Sequence, residues 1–80
     1  MTLALVFVEC AKDLASSAEH AVNQIQGVLE THSVKGNSSY DLVVKVQTAD
    51  ESELKNTINT LKSVAGIVAV ATCIVYGSMQ

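Results

Sequence analysis

Residues 40–54 read YDLVVKVQTADESEL, and this stretch joins two different periodicities. From Tyr40 to Thr48 apolar and polar residues alternate, which predicts a β-strand that is buried on one side only. Asp50 followed by Glu53 is the pattern of a helix N-cap with a capping box. The stretch therefore predicts a half-buried strand that leads directly into an amphipathic helix. The two faces of the predicted strand are Leu42, Val44 and Val46 on one side and Asp41, Val43, Lys45 and Gln47 on the other.

The segments on either side of this stretch carry the same kinds of signal. A short apolar run opens the chain, and an apolar stripe at helical spacing follows it, with Asp13 expected in the first turn of the helix. Gly36 begins a turn that separates a polar strand from the alternating one. The predicted strands lie at residues 2–9, 28–35, 40–48 and 67–76, and the predicted helices at residues 12–25 and 50–64.

The predicted order βαββαβ contains an internal repeat. Each half is a strand, a helix, a glycine followed by a β-branched residue, and a second strand; the two junctions are Gly27-Val28 and Gly66-Ile67. Two such halves form the split βαβ arrangement, whose right-handed crossovers place both helices on one face of the sheet. We therefore predict one α+β domain over residues 1–80, with a ferredoxin-like four-stranded antiparallel sheet whose first and third strands are central.

The composition predicts self-association. Hydrophobic residues make up 49% of the chain and charged residues only 16%, against roughly 25% charged residues in a typical soluble domain. The first and last predicted strands are apolar on both sides, but the helices cover only one face of the sheet. A large uncovered apolar face is rare in a soluble monomer. We expect a second copy to pack sheet against sheet across an interface that also includes the polar side chains of the third strand.

Several functional classes are disfavoured. The net charge is −3, and the five lysines are scattered with no arginine in the chain, so direct nucleic-acid binding is not expected. The opening apolar run is too short to cross a membrane and lacks the features of a signal peptide, which favours a cytoplasmic location. The two cysteines, Cys10 and Cys73, form no CxxC pair, so we predict buried reduced thiols and no metal site. His32 is expected at the subunit interface.

Four stretches together resemble the effector-binding domain of the Lrp/AsnC regulators, also called the RAM domain. They are Gly27-Val28 with His32 after it, Gly36, the strand from Tyr40 to Val46, and the segment from Gly66-Ile67 to Val75. The resemblance implies a dimeric α+β barrel that assembles into a homodimer and further into octameric or decameric rings. It also implies an amino acid or related metabolite bound between subunits. Full-length relatives begin with a helix-turn-helix, so this chain resembles a stand-alone form that regulates transcription without binding DNA itself, in partnership with a full-length Lrp/AsnC regulator.

The resemblance also implies a set of ligand-binding residues. They come from the loop before the third strand and from the last strand: Gly36, Asn37, Ser38, Ser39, Tyr40, Asp41, Val70 and Thr72. A glycine-containing turn offers backbone N–H donors to a carboxylate, and Asp41 offers an acceptor to an ammonium group. Three residues separate Gly36 from Tyr40 where the family usually has one, and Val70 replaces a usual hydroxyl residue. Each of two candidates also has a purely structural interpretation. Asp41 can be a solvated residue at the start of a strand, and Thr72 can be a threonine that packs within a strand.

Two other functional classes stay open. Small enzymes of the monooxygenase type also use the dimeric α+β barrel, but they need an acid/base or cofactor-positioning cluster. We find no such cluster in the sequence, and so predict neither an enzyme nor a bound cofactor. A pure assembly scaffold, whose open sheet face only holds a ring together, is the third interpretation.

Overall fold

The computed structural model describes residues 1–36 and 39–75. Within these ranges the chain forms six elements in the predicted βαββαβ order, and the predicted strand end at Tyr76 lies outside the described residues. The elements are β1 (Thr2–Cys10), α1 (Ala15–Val22), β2 (Val28–Ser33), β3 (Leu42–Thr48), α2 (Glu51–Lys62) and β4 (Ile67–Val75).

The four strands form one antiparallel sheet in the order β2-β3-β1-β4. The first and third strands in the chain are therefore central, as the two crossovers predicted. Val6 marks the middle of the sheet, because it pairs with Val44 on β3 and with Thr72 on β4. This arrangement is the ferredoxin-like fold expected from the sequence.

The core lies between the sheet and both helices. Alternate residues of the two central strands are fully buried there, and Val22 of α1 packs against them together with Leu54 and Leu61 of α2. Each buried valine or leucine side chain contributes about 1.5–3 kcal/mol relative to an exposed one. The strand residues of this layer are Ala4, Val6, Val8, Leu42, Val44 and Val46, which include the predicted inward face of β3.

The opposite side of the sheet, here named the open face, is covered by no element of the described chain. Its apolar half lies on β1 and β4, where Leu5 is 36% exposed and Val75 42% exposed. Cys73 is also exposed on this half, so the expectation that both cysteines are buried is wrong for Cys73. The open face comprises Leu3, Leu5, Phe7 and Glu9; Val43, Lys45 and Gln47; Glu30 and His32; and Ala69, Ala71, Cys73 and Val75.

Helix α1 is shorter than its apolar periodicity predicted. Asp13 has a φ of 69°, which is left-handed backbone, so it does not lie in the first turn of the helix as expected. Leu14 takes the N-cap position without a side-chain hydrogen bond. At the other end, the backbone N–H groups of Gln24 and Ile25 donate to carbonyls three residues earlier. This hydrogen-bond pattern is that of a tighter turn, and it ends the α-helix.

Helix α2 begins where the capping pattern predicted. Asp50 is the N-cap, and its Oδ1 accepts a hydrogen bond of 2.8 Å from the backbone N–H of Glu53. Glu53 reaches back in turn, but its Oε1 accepts from the N–H of Ala49, one residue before the N-cap, at 2.9 Å. The two bonds satisfy backbone donors at the junction between β3 and α2.

Candidate ligand-binding site

The segment between β2 and β3 is attached to the end of the central strand β1. The N–H of Val34 donates to the carbonyl of Asp41 at 2.9 Å, and the N–H of Asp41 donates to the carbonyl of Val8 at 2.8 Å. Gly36 and Ser39 of this segment are exposed. Asn37 and Ser38, which we predicted as ligand-binding residues, lie outside the described residues.

The carboxylate of Asp41 has a partner on β1. Its Oδ2 accepts a hydrogen bond of 2.7 Å from the backbone N–H of Cys10, next to an irregularity in the β1–β4 pairing. A hydrogen bond to an ionised carboxylate is stronger than a neutral one. Burial raises the pKa of the Cys10 thiol above its ordinary value, and the negative charge of Asp41 raises it further. Asp41 therefore has a structural role in addition to any contact with a ligand.

Tyr40 extends the loop onto the open face. Its ring packs against the ring of Phe7 with a centroid distance of 5.8 Å and an angle of 47° between the planes. A tilted aromatic pair of this kind contributes about 0.5–1.5 kcal/mol beyond the area that it buries. The contact places Tyr40 at the boundary between the loop and the apolar half of the open face.

The two predicted residues of β4 lie on the other side of the sheet. Val70 pairs with Val8 and packs against the core, and Thr72 pairs with Val6. Thr72 is exposed and borders a groove of about 290 Å³. The other residues that line this groove are Leu54, Lys55, Ile58 and Asn59 of α2 and Ile74 of β4.

The predicted site residues thus form two groups. Tyr40 and Asp41 adjoin one edge of β1, and Val70 adjoins the opposite edge, so their backbones are separated by two strand spacings, or about 10 Å. Thr72 faces the helices, whereas Tyr40 contacts the open face. One chain does not bring both groups around one small molecule.

Phe7 and Cys10 are two residues of this region that we did not predict. Cys10 is 31 positions from Asp41 in the sequence, and Phe7 reads only as an apolar residue of the first strand. Their roles depend on which strands are neighbours and in which register. The spacing of residues in the sequence does not indicate either contact.

A charged cluster occupies the polar half of the open face. His32 donates from Nε2 to Oε1 of Glu30 at 2.8 Å, and Nζ of Lys45 lies 3.9 Å from the other carboxylate oxygen. The hydrogen bond from His32 lowers the pKa of Glu30, and the charge of Lys45 lowers it further. His32 therefore lies on the face where we expected a subunit interface.

No group of three metal-ligating side chains occurs in residues 1–36 and 39–75. Within the same ranges, no helix is long and apolar enough to span a membrane.

Comparison with known proteins matches this chain to one family profile and to a segment of a larger enzyme. The profile of the Lrp/AsnC ligand binding domain matches residues 3–79. Homocitrate synthase of Sulfolobus acidocaldarius is 30% identical over 78 residues, which are 96% of this chain but 16% of the enzyme. This chain therefore spans about one sixth of the length of that curated relative.

Solved structures with the same fold come from several bacteria. TTHA0845 of Thermus thermophilus superposes with a TM-score of 0.91 at 25% identity, over 100% of this chain and 99% of that one. The transcriptional regulator NMB0573 of Neisseria meningitidis, solved as a complex with L-Met, superposes with a TM-score of 0.81. Its identity is 18%, and the match covers 99% of this chain and 52% of the regulator, so it supports the fold alone. From the profile match over nearly its whole length, this chain belongs to the Lrp/AsnC ligand-binding domain family.

Proposed function

We propose that the domain binds an amino-acid effector in a pocket shared by two copies of the chain, and passes this signal to a regulatory assembly in the cytoplasm. The observation that carries the proposal is the division of the predicted site. Tyr40 and Asp41 lie at one edge of β1, and Thr72 lies on the helix side of β4. A small ligand that contacts both groups needs the second group from a neighbouring copy.

The open face supports a homodimer as the basic unit. Leu5, Phe7 and Val75 expose apolar surface that a second sheet would remove from water. This transfer contributes about 25 cal/mol per Å² before the entropic cost of association is subtracted. The charged cluster of Glu30, His32 and Lys45 would lie on the polar half of the same interface. Octameric or decameric rings, which the resemblance to the Lrp/AsnC regulators implies, would then form from these dimers.

The chemistry of the loop suits a zwitterion. Gly36 is exposed, and a glycine in a turn can offer its backbone N–H to a carboxylate. Asp41 uses Oδ2 for the N–H of Cys10, but a carboxylate has about four acceptor positions and can also accept from an ammonium group. The complex of the Neisseria meningitidis regulator with L-Met makes L-methionine the first amino acid to test.

The same role fits two molecular settings. In one, the domain signals to a full-length Lrp/AsnC regulator and itself makes no contact with DNA. In the other, it signals to an enzyme, because homocitrate synthases contain a similar segment that makes up 16% of their length. In both settings the domain performs no chemistry. A pure assembly scaffold remains the competing interpretation, and it requires no ligand.

A thermal-shift screen with the twenty common amino acids, beginning with L-methionine, tests the proposal. An effector at one hundred times its Kd stabilises the folded state by about 2.7 kcal/mol, so the melting temperature should rise with concentration. Asp41→Asn keeps an acceptor for the N–H of Cys10 but removes the charge, and we expect it to abolish the rise. Glu51→Gln, which removes a charge from α2, should retain it.

Two results would count against the proposal. If no amino acid raises the melting temperature, the scaffold interpretation is favoured. If the shift survives in Asp41→Asn, the pocket lies elsewhere in the assembly.

A further inference from the structure

The groove beside Thr72 lies between α2 and β4, which is an edge strand of the sheet. Its volume of about 290 Å³ is at the lower end of the range for small-molecule sites, roughly 300–1,000 Å³. A groove of this size suits one side chain of a ligand better than a whole ligand. Because Thr72 belongs to the divided effector site, the groove adjoins the surface that a neighbouring copy would present to Tyr40 and Asp41.

The wall of the groove is mostly apolar. Leu54 belongs to the buried core, and the half-buried Ile58 and Ile74 pack against that core from α2 and β4. An apolar group that covers this wall is favoured, because both surfaces are then removed from water. A carboxamide or a carboxylate in the same position would lose hydrogen bonds to water, and these three side chains offer it no hydrogen bond in return.

The polar residues of the groove are exposed to solvent. They are Asn59, Thr72 and Lys55, and Lys55 carries the one charge among the described residues that line the groove. A surface lysine can lay its aliphatic stem along an apolar wall while its ammonium group stays in water. The ammonium group of Lys55 is therefore the single feature of the groove that favours an anionic side chain over an apolar one.

We infer that this groove holds the side chain of the effector, and that the effector is an amino acid with an aliphatic side chain of about the size of leucine. The inference rests on the proposed function, in which the loop of one copy binds the charged groups of the ligand. Leu54, Ile58 and Ile74 of the neighbouring copy then determine the specificity. Thr72 lies where the side chain of the ligand enters the groove.

Calorimetric titration of the full chain with L-leucine, L-asparagine and L-aspartate tests the inference. The three side chains have the same branching and nearly the same size, but they end in methyl groups, a carboxamide and a carboxylate. We expect leucine to bind about tenfold more tightly than asparagine, because even one methylene in an apolar pocket changes binding by about 10–200-fold. Aspartate should bind no more tightly than asparagine.

Three variants locate the side-chain site. Ile58→Ala removes part of the apolar wall, so it should reduce the preference for leucine over asparagine. Ile25→Ala is the matched control, because Ile25 is also half-buried against the core but does not line the groove, and it should keep the preference. Lys55→Met removes the charge and keeps an aliphatic stem, so it should bind leucine as the parent does.

The inference is overturned if asparagine or aspartate binds as tightly as leucine, and the proposed function then stands, because an amino acid still binds. It is also overturned if Lys55→Met loses leucine, since the ammonium group would then hold the carboxylate of the ligand in the groove. If no amino acid binds at all, the proposed function fails and the inference fails with it. If Ile58→Ala does not fold, the comparison of the three ligands on the parent protein decides.

Discussion

The carboxylate of Asp41 accepts a 2.7 Å hydrogen bond from the backbone N–H of Cys10, across 31 positions of sequence. This bond joins the entrance of β3 to the end of β1, at the same place where the loop of the candidate site is attached. A residue that the sequence suggested as a ligand contact is therefore also part of the framework that positions the loop.

Removal of the Asp41 carboxylate should destabilise the fold. Asp41→Ala leaves the N–H of Cys10 without its acceptor, which costs about 1–3 kcal/mol for a partly buried group. Asp41→Asn should recover most of this loss, because an amide oxygen can accept the same bond. Urea denaturation measures the free energy of unfolding, and equal losses in both variants would contradict the role of the hydrogen bond.

The Cys10 thiol should react slowly near neutral pH. Burial is the main cause of its raised pKa, and the charge of Asp41 is the second. Because the folded-state pKa exceeds the unfolded one, this group favours folding below its ordinary pKa, and that contribution is lost as the pH rises through the folded pKa. Asp41→Asn should lower the thiol pKa and speed alkylation by iodoacetamide in a Cys73→Ser background. Slower alkylation in the variant would refute this.

The carboxyl pKa of Glu30 should depend more on His32 than on Lys45. The hydrogen bond from His32 is the larger cause of the lowered pKa, and the charge of Lys45 is the smaller. The pairing favours folding above the ordinary carboxyl pKa, and this contribution disappears as the pH falls through the folded value. NMR titration of Glu30 should show a larger rise in His32→Phe than in Lys45→Met. The reverse order would show that charge, not hydrogen bonding, dominates.

Gly66 should not tolerate a side chain. Its φ is +97°, and a Cβ at this position would lie 3.0 Å from Cβ of Leu14. Left-handed backbone costs a residue with a Cβ about 1–2 kcal/mol, so Gly66→Ala should lower the free energy of unfolding by at least that amount. Gly36→Ala is the control, because nothing lies within 4 Å of a Cβ there. Equal stability of the two variants would exclude both the strain and the contact.

Leu5 should control assembly without controlling the fold. It lies on the apolar half of the open face and is 36% exposed in the single chain, so Leu5→Glu would place a charge within the proposed interface. Light scattering should report at least a dimer for the parent and a monomer for the variant, while circular dichroism stays unchanged. Ser17→Glu on α1 adds an equal charge away from the sheet and should leave the mass unchanged. If the parent protein is a monomer, the proposed sheet-to-sheet dimer is wrong.

The sequence by itself determined the elements whose signals are local. The alternation in β3 repeats every two residues, and the Asp50–Glu53 capping pattern spans one helical turn, so both could be predicted from neighbouring residues. The βαββαβ order, with β1 and β3 in the centre, followed from these elements and from the handedness of crossovers. The alternation and the cap depend on short-range geometry, and the strand order follows from a general rule of chain connection.

Only the tertiary structure decided how α1 begins and how the candidate site is divided. Leu14, which follows the left-handed Asp13, adjoins Gly66, which is distant in sequence, so local periodicity overestimated the helix. The face of the sheet on which Thr72 lies depends on its pairing with Val6. The hydrogen bond between Asp41 and Cys10 depends on the register of β1 with both of its neighbouring strands. Strand pairing brings distant residues together, and since a shift of one residue reverses every side chain, no local pattern specifies the outcome.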